Sequence, residues 1–171
     1  MELRRQIDQI TDFLRKYVPG YENCRIRSTA STLGVRESRR IIGEYILNED
    51  DLRVGRRFKD VVVHNANFVI DIHNPTGGGQ AYGLAEVVKP YDIPYRCLIP
   101  KKIDNLILNG RCISGTHHAH ASYRVMTICM ALGEAAGIAA ALSVQNDVCP
   151  RNLDVKEIQK VLLERGAVLF D

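Results

Sequence analysis

An α/β or α+β fold, a mixed sheet with helices packed on it, is what the sequence predicts, and three observations carry that expectation. Residues 105–108 (NLIL) form a short apolar run ending at Asn109-Gly110, as a strand buried on both faces does. A long helical stretch follows, lined by Ala131, Gly133, Ala135, Ala136, Gly137, Ala139, Ala140 and Ala141. Upstream, residues 41–47 and 61–72 are rich in β-branched and apolar residues that suit strands. The unit at 105–143 therefore reads as strand, loop and helix.

In chain order, Leu3, Ile7, Ile10, Leu14 and Val18 repeat at helical spacing, predicting a surface packing helix that Pro19-Gly20 stops. Ile41, Ile42, Tyr45, Ile46 and Leu47 suit a strand with Gly43 as a kink. Asn48 is a candidate N-cap for one or two helical turns closed by Gly55. Residues 61–72 read as one or two strands, and 74–79 as a loop. The short apolar segments 85–88 and 96–99, broken by Pro90, Pro94 and Pro100, read as strand and turn. The long helix starts near Arg124 and ends at Asn146-Asp147. A last helix, capped by Asp154, carries Val155, Ile158, Val161, Leu162 and Leu163 and stops at Gly166.

With 46 % hydrophobic and 25 % charged residues, the chain has enough apolar material for a core, which argues against disorder. A net charge of +3 is too mild to point to nucleic acid or a membrane surface. Arg53, Arg56, Arg57 and Lys59 read as a solvated face. The five cysteines are odd in number and lack a CxxC, against a disulfide framework or zinc site. Reduced thiols and a charged, amphipathic start lead to a cytoplasmic expectation. Residues 125–144 match a membrane span in length, but they are Ala-rich and hold Glu134 centrally, so a buried helix of a soluble protein is expected.

Two constellations could carry chemistry. His117, His118 and His120 stand between the 105–108 run and the long helix, with Arg124 at the helix start. They can serve a substrate or cofactor pocket, remain as solvated loop side chains, or ligate a metal; no carboxylate or Cys at ligand spacing supports the last. Arg124 at a helix N-terminus needs an anion or carboxylate beside it. The second constellation is Gly34-Val35-Arg36-Glu37-Ser38-Arg39-Arg40, either a bidentate clamp for an anion or a charged edge. Residues 77–83 (GGGQAYG) mimic a nucleotide-binding turn without its spacing, and no GxGxxG occurs anywhere in the chain.

Residues 93–142, IPYRCLIPKKIDNLILNGRCISGTHHAHASYRVMTICMALGEAAGIAAAL, resemble the C-terminal signature of a bacterial family of FAD-dependent oxidoreductases. Gly34 to Arg40 with Gly43-Glu44-Tyr45 resembles a second segment of that family, and the likeness runs from about Arg25 onward. It implies the C-terminal, truncated portion of a two-domain flavoprotein whose Rossmann FAD domain lies elsewhere. Residues 1–100 would be a substrate or cap region. Residues 101–145 would be the strand–loop–helix returning to the FAD domain, and 146–171 the C-terminal helix. By the same resemblance FAD is the cofactor of the complete enzyme. Gly110, Arg111, Cys112, Val125 and Met126 would lie beside the flavin. His117 and Arg124 would be the catalytic candidates, with Arg36, Arg39 and His118 weaker substrate contacts. The implied reaction is hydride transfer between a small-molecule substrate and flavin, with the isolated chain inactive. The alternatives are a non-catalytic interaction module that self-associates through the Ala/Gly helix face, and a metal-dependent hydrolase built on the three histidines.

Overall fold

A computed structural model describes residues 2–37, 39–72 and 88–170. The expected loop at 74–79, the turn-like 77–83 and most of the 85–88 segment lie outside these. The chain divides into two compact units, residues 1–35 and 36–171.

In the first unit, α1 (Glu2–Tyr17) forms where the apolar repeat predicts it. Pairs one turn apart, Glu2–Arg5 and Asp12–Arg15, lie along it. Arg15 Nε donates to the Cys24 carbonyl at 2.8 Å, tying the following turn back to the helix. None of its residues is buried, and Ile10 is 59 % exposed.

The second unit holds the core. Among the described residues its sheet is one antiparallel pair, β1 (Val61–Ala66) and β2 (Tyr91–Pro94), with Val63 opposite Ile93. Two irregularities interrupt the register, and Asn65 takes a positive φ of 53° beside one of them. α4 (Met126–Gln145) and α5 (Val155–Glu164) cover β1. Leu132, Ala135, Ala139, Ile158 and Leu162 point inward from them. Buried Gln159 donates to the Lys59 and Val61 carbonyls at 2.9 and 3.0 Å, so a polar side chain fastens α5 to the strand.

The mixed α/β character holds, but two expected strands are absent among the described residues. Residues 105–108 run as irregular chain. Asn105 sits at φ 56°, Leu106 is 40 % exposed, and the Leu108 amide bonds the Leu98 carbonyl at 2.9 Å. A strand buried on both faces needs a ladder on both edges, and this segment has one isolated bond. Residues 41–47 thread between two loops by scattered pairings, Ile41 to Cys112, Glu44 to Ile99 and Leu47 to Ser114. Only isolated bridges result, Gly43 with Pro100 and Leu47 with Gly115. Gly43 is needed there for lack of room: a Cβ would stand 2.7 Å from Ser114 Cβ and 3.1 Å from two carbonyl oxygens.

α2 (Glu49–Val54) has the expected ends. Asn48 and Asp51 form a reciprocal capping box, and Gly55 closes the helix at φ 65°. The long helix expected from near Arg124 forms as α4, and the stretch before it, read as a loop, holds a further short helix. α3 (His117–Tyr123), capped by the Thr116 hydroxyl, stops at Arg124, and α4 begins after Val125 in extended conformation. α4 is long and apolar enough to cross a membrane by length and composition, with mean hydropathy 1.7. Ile128, Leu132, Ala135, Ala136, Ala139 and Ser143 on it are buried.

Candidate functional site

The second unit gathers its charged chemistry around Glu37. Helix α3 is nucleated at Thr116, whose hydroxyl accepts from the Ala119 amide at 3.2 Å and donates to Glu49 at 3.0 Å. That cap sets the rotation of α3, so its one-turn repeat brings His117, His120 and Arg124 toward the segment 36–40. His117 Nδ1 lies 3.0 Å from Glu37 Oε1, and Arg40 donates to the same oxygen at 2.9 Å. Arg124 donates to Oε2 at 3.1 Å. His120 Nδ1 stands 3.8 Å from Oε1. Arg124 also donates to the Asp71 backbone carbonyl, while Arg36 pairs with the Asp71 carboxylate at 2.8 Å.

The electrostatics follow from burial and these partners. Burial alone pushes the Glu37 carboxyl up. The hydrogen bonds from His117 and Arg40, with the charges of His120 and His117, outweigh it and hold the carboxyl below its ordinary value. Glu37 is therefore ionised at neutral pH and only accepts hydrogen bonds. His120 is fully buried, and burial pushes its imidazole down to about 4, so it is neutral there. Among the described residues neither of its ring nitrogens has a hydrogen-bond partner, and Arg124 Nε has none either. Its ring packs edge-on against Tyr123 at 5.3 Å. Tyr123 in turn donates to the Ile113 carbonyl at 3.0 Å, and Gly115 leaves room for that ring.

The three histidines do not converge. His117 is half exposed on Glu37, His118 is near Glu49, and His120 points inward. Among the described residues no three His, Cys, Asp or Glu side chains are arranged to hold a metal ion. Arg39 is exposed and has no ion-pair partner among the described residues.

The residues expected beside a flavin lie about the α3–α4 junction. Gly110, Arg111 and Cys112 form one 3-10 turn, with Gly110 at φ 61° and its missing Cβ position 3.8 Å from Cys129 on α4. Arg111 Nε donates to the Arg124 carbonyl at 3.1 Å. Val125 precedes α4 without capping it by a side chain, and Met126 is 74 % exposed. Sequence reasoning missed two members of the cluster, the central role of Glu37 and the contribution of Asp71. Glu37 was visible as the one acid among three arginines. Asp71 gave no local signal, because its partners are far along the chain.

A cleft of about 760 Å³ lies elsewhere, between the small-residue face of α4 (Gly133, Ala136, Gly137) and Asn105, Ile107 and Asn109. No residue of the Glu37 cluster lines it. Its walls are mixed, with Asn105, Asn109, Ser143 and Asp147 among apolar residues, whereas the cluster concentrates the groups that can move protons and orient anions.

The family model described as FAD dependent oxidoreductase matches residues 1–162. No curated protein and no solved structure matches the chain. With a match over nearly the whole length, and with the junction and the Glu37 cluster built from the residues that carry the resemblance, this chain belongs to the FAD-dependent oxidoreductase family.

Proposed function

We propose that the chain is the C-terminal portion of an FAD-dependent oxidoreductase and forms the substrate-side wall of its hydride-transfer site. The observation that carries the reading is the Glu37 cluster at the start of α3, beside the α3–α4 junction. It puts a half-exposed imidazole and a buried guanidinium on one carboxylate.

The residues present suit one side of a flavin. Among the described residues the first amides of α4 have no side-chain cap, and Gly110 turns the chain beside Cys129 at a positive φ of 61°. The sequence has no glycine-rich pyrophosphate turn, so that part of the cofactor would be held by another domain. Gly110, Arg111, Cys112, Val125 and Met126 would contact the ring. When bound, FAD supplies a two-electron acceptor or donor. His117 would take or return the substrate proton, Arg124 would orient an anionic group, and Arg36, Arg39 and His118 would line the substrate approach. No nucleic acid, membrane or resident metal enters this reading, and the cytoplasm suits its reduced thiols.

The exposed stripe of α4 supports the docking half of the proposal. Met126, Met130 and Val144 are more than 70 % exposed, and Gly133 and Gly137 face open space. In the complete enzyme the FAD domain would cover that stripe; a chain standing alone would cover it with a second copy.

The test is FAD retention by the chain alone and by the chain joined to an FAD domain of the same family. We expect the joined protein to keep FAD through gel filtration and the chain alone to lose it. A joined protein that folds but keeps no FAD would sink the reading.

A further inference from the structure

We propose that Glu37 is the positioning residue of this site, fixing His117 in the tautomer that leaves Nε2 free to accept a proton from a substrate hydroxyl or amine. The proposal deepens the reading above and rests on it for the reaction, though not for the tautomer.

The argument begins with what a carboxylate can do. Ionised Glu37 offers only lone pairs, so the 3.0 Å contact with His117 Nδ1 requires the proton to be on Nδ1. Neutral imidazole carries one N–H, which leaves Nε2 as an acceptor. The His117 side chain is 51 % exposed, so the imidazole can be reached from solvent. Glu37 is itself held in place. Arg40 engages the oxygen that His117 uses, and Arg124 engages the other. Arg40 also donates to the Gly115 carbonyl at 3.1 Å, which fixes segment 36–40 to the loop entering α3. His120 stands beside the same carboxylate at 3.8 Å, buried and without a hydrogen bond among the described residues, so it does not compete for the position His117 occupies.

The arrangement suits a substrate that loses hydride from a carbon bearing O–H or N–H. The proton passes to His117 Nε2 and the O–H or N–H bonding pair becomes the new π bond. FAD, when bound, would supply the two-electron acceptor for the hydride lost from the same carbon with its electron pair, and the substrate would end as a ketone, aldehyde or imine. Glu37 touches none of the reacting atoms; it sets which nitrogen is available and offsets the charge His117 gains.

The tautomer can be read without cofactor or substrate. Long-range proton–nitrogen correlation spectra of the labelled chain, above neutral pH, report which ring nitrogen carries hydrogen, and His117→Gln assigns the signal. We expect Nδ1–H for His117 in the unaltered chain, and a return to the Nε2–H form that free imidazole favours in Glu37→Ala. Nε2–H in the unaltered chain, or no change in a folded Glu37→Ala, overturns the proposal. If Glu37→Ala does not fold, the unaltered spectrum still decides. In the joined flavoprotein, Glu37→Ala should lower kcat on the order of 10²-fold with KM little changed. A loss confined to KM would make Glu37 a binding group and overturn the positioning role. Loss of FAD from the joined protein would remove the reaction while leaving the tautomer result standing.

Discussion

Gly43 and His120 are the two residues whose environments make the sharpest demands. Any Cβ at position 43 meets Ser114 and the carbonyls of Arg96 and Ile99, two of them loop backbone that cannot yield cheaply. Gly43→Ala should cost about 1–3 kcal/mol, read as a lower urea midpoint at unchanged slope. His120 makes stability depend on acid. Its folded value, about 4, lies below the ordinary 6.5, so between those values the unfolded chain binds the extra proton. Stability should therefore fall as pH drops from about 6.5 toward 4, and His120→Leu should flatten that slope in urea titrations at several pH values. Local reading located Glu37 among its arginines and Arg124 in want of an anion. It could not find that the anion was Glu37, 87 residues away, because spacing along a chain carries no information about contacts so remote.

At the scale of elements, ends were legible and pairings were not. The Asn48 cap, the Gly55 stop and the Asp154 cap each follow from chemistry within four residues. Asn48→Ala should remove about 1 kcal/mol, since α2 is too short to persist without its capping box; a thermal melt measures it. The 105–108 run failed as a strand because apolar composition cannot supply the neighbouring ladders. What holds that region is Arg151, which pairs with Glu44 and with Asp104 at 3.0 Å and donates to the Pro100 carbonyl at 2.7 Å. Arg151→Ala should speed hydrogen exchange at the Lys101 and Leu108 amides while leaving those of α5 unchanged. The short helix α3 was missed for a related reason. Residues 117–123, rich in histidine, show no apolar stripe and read as loop, and the ion pair that fixes Arg124 comes from outside the helix.

Over the whole molecule, family membership was the most legible property, because the motif is long and its residues sit together about the α3–α4 junction. The exposed stripe of α4 gives the prediction proper to this scale. Sedimentation of the chain alone should show mass rising with concentration, and Met130→Glu should suppress the rise; a monomer at every concentration would remove self-association from the proposal. The Leu47–Gly115 bridge has a consequence of a different kind. Glu37 and His117 are 80 residues apart, a long loop to close for one hydrogen bond. The bridge, made by Leu47 with Ser114 and Thr116, has already brought the two stretches together. The remaining loop is only about a dozen residues, which lowers the closure entropy by roughly 1.5–2 kcal/mol. A pairing between two backbones that touch no reacting atom thus makes the site affordable to the chain.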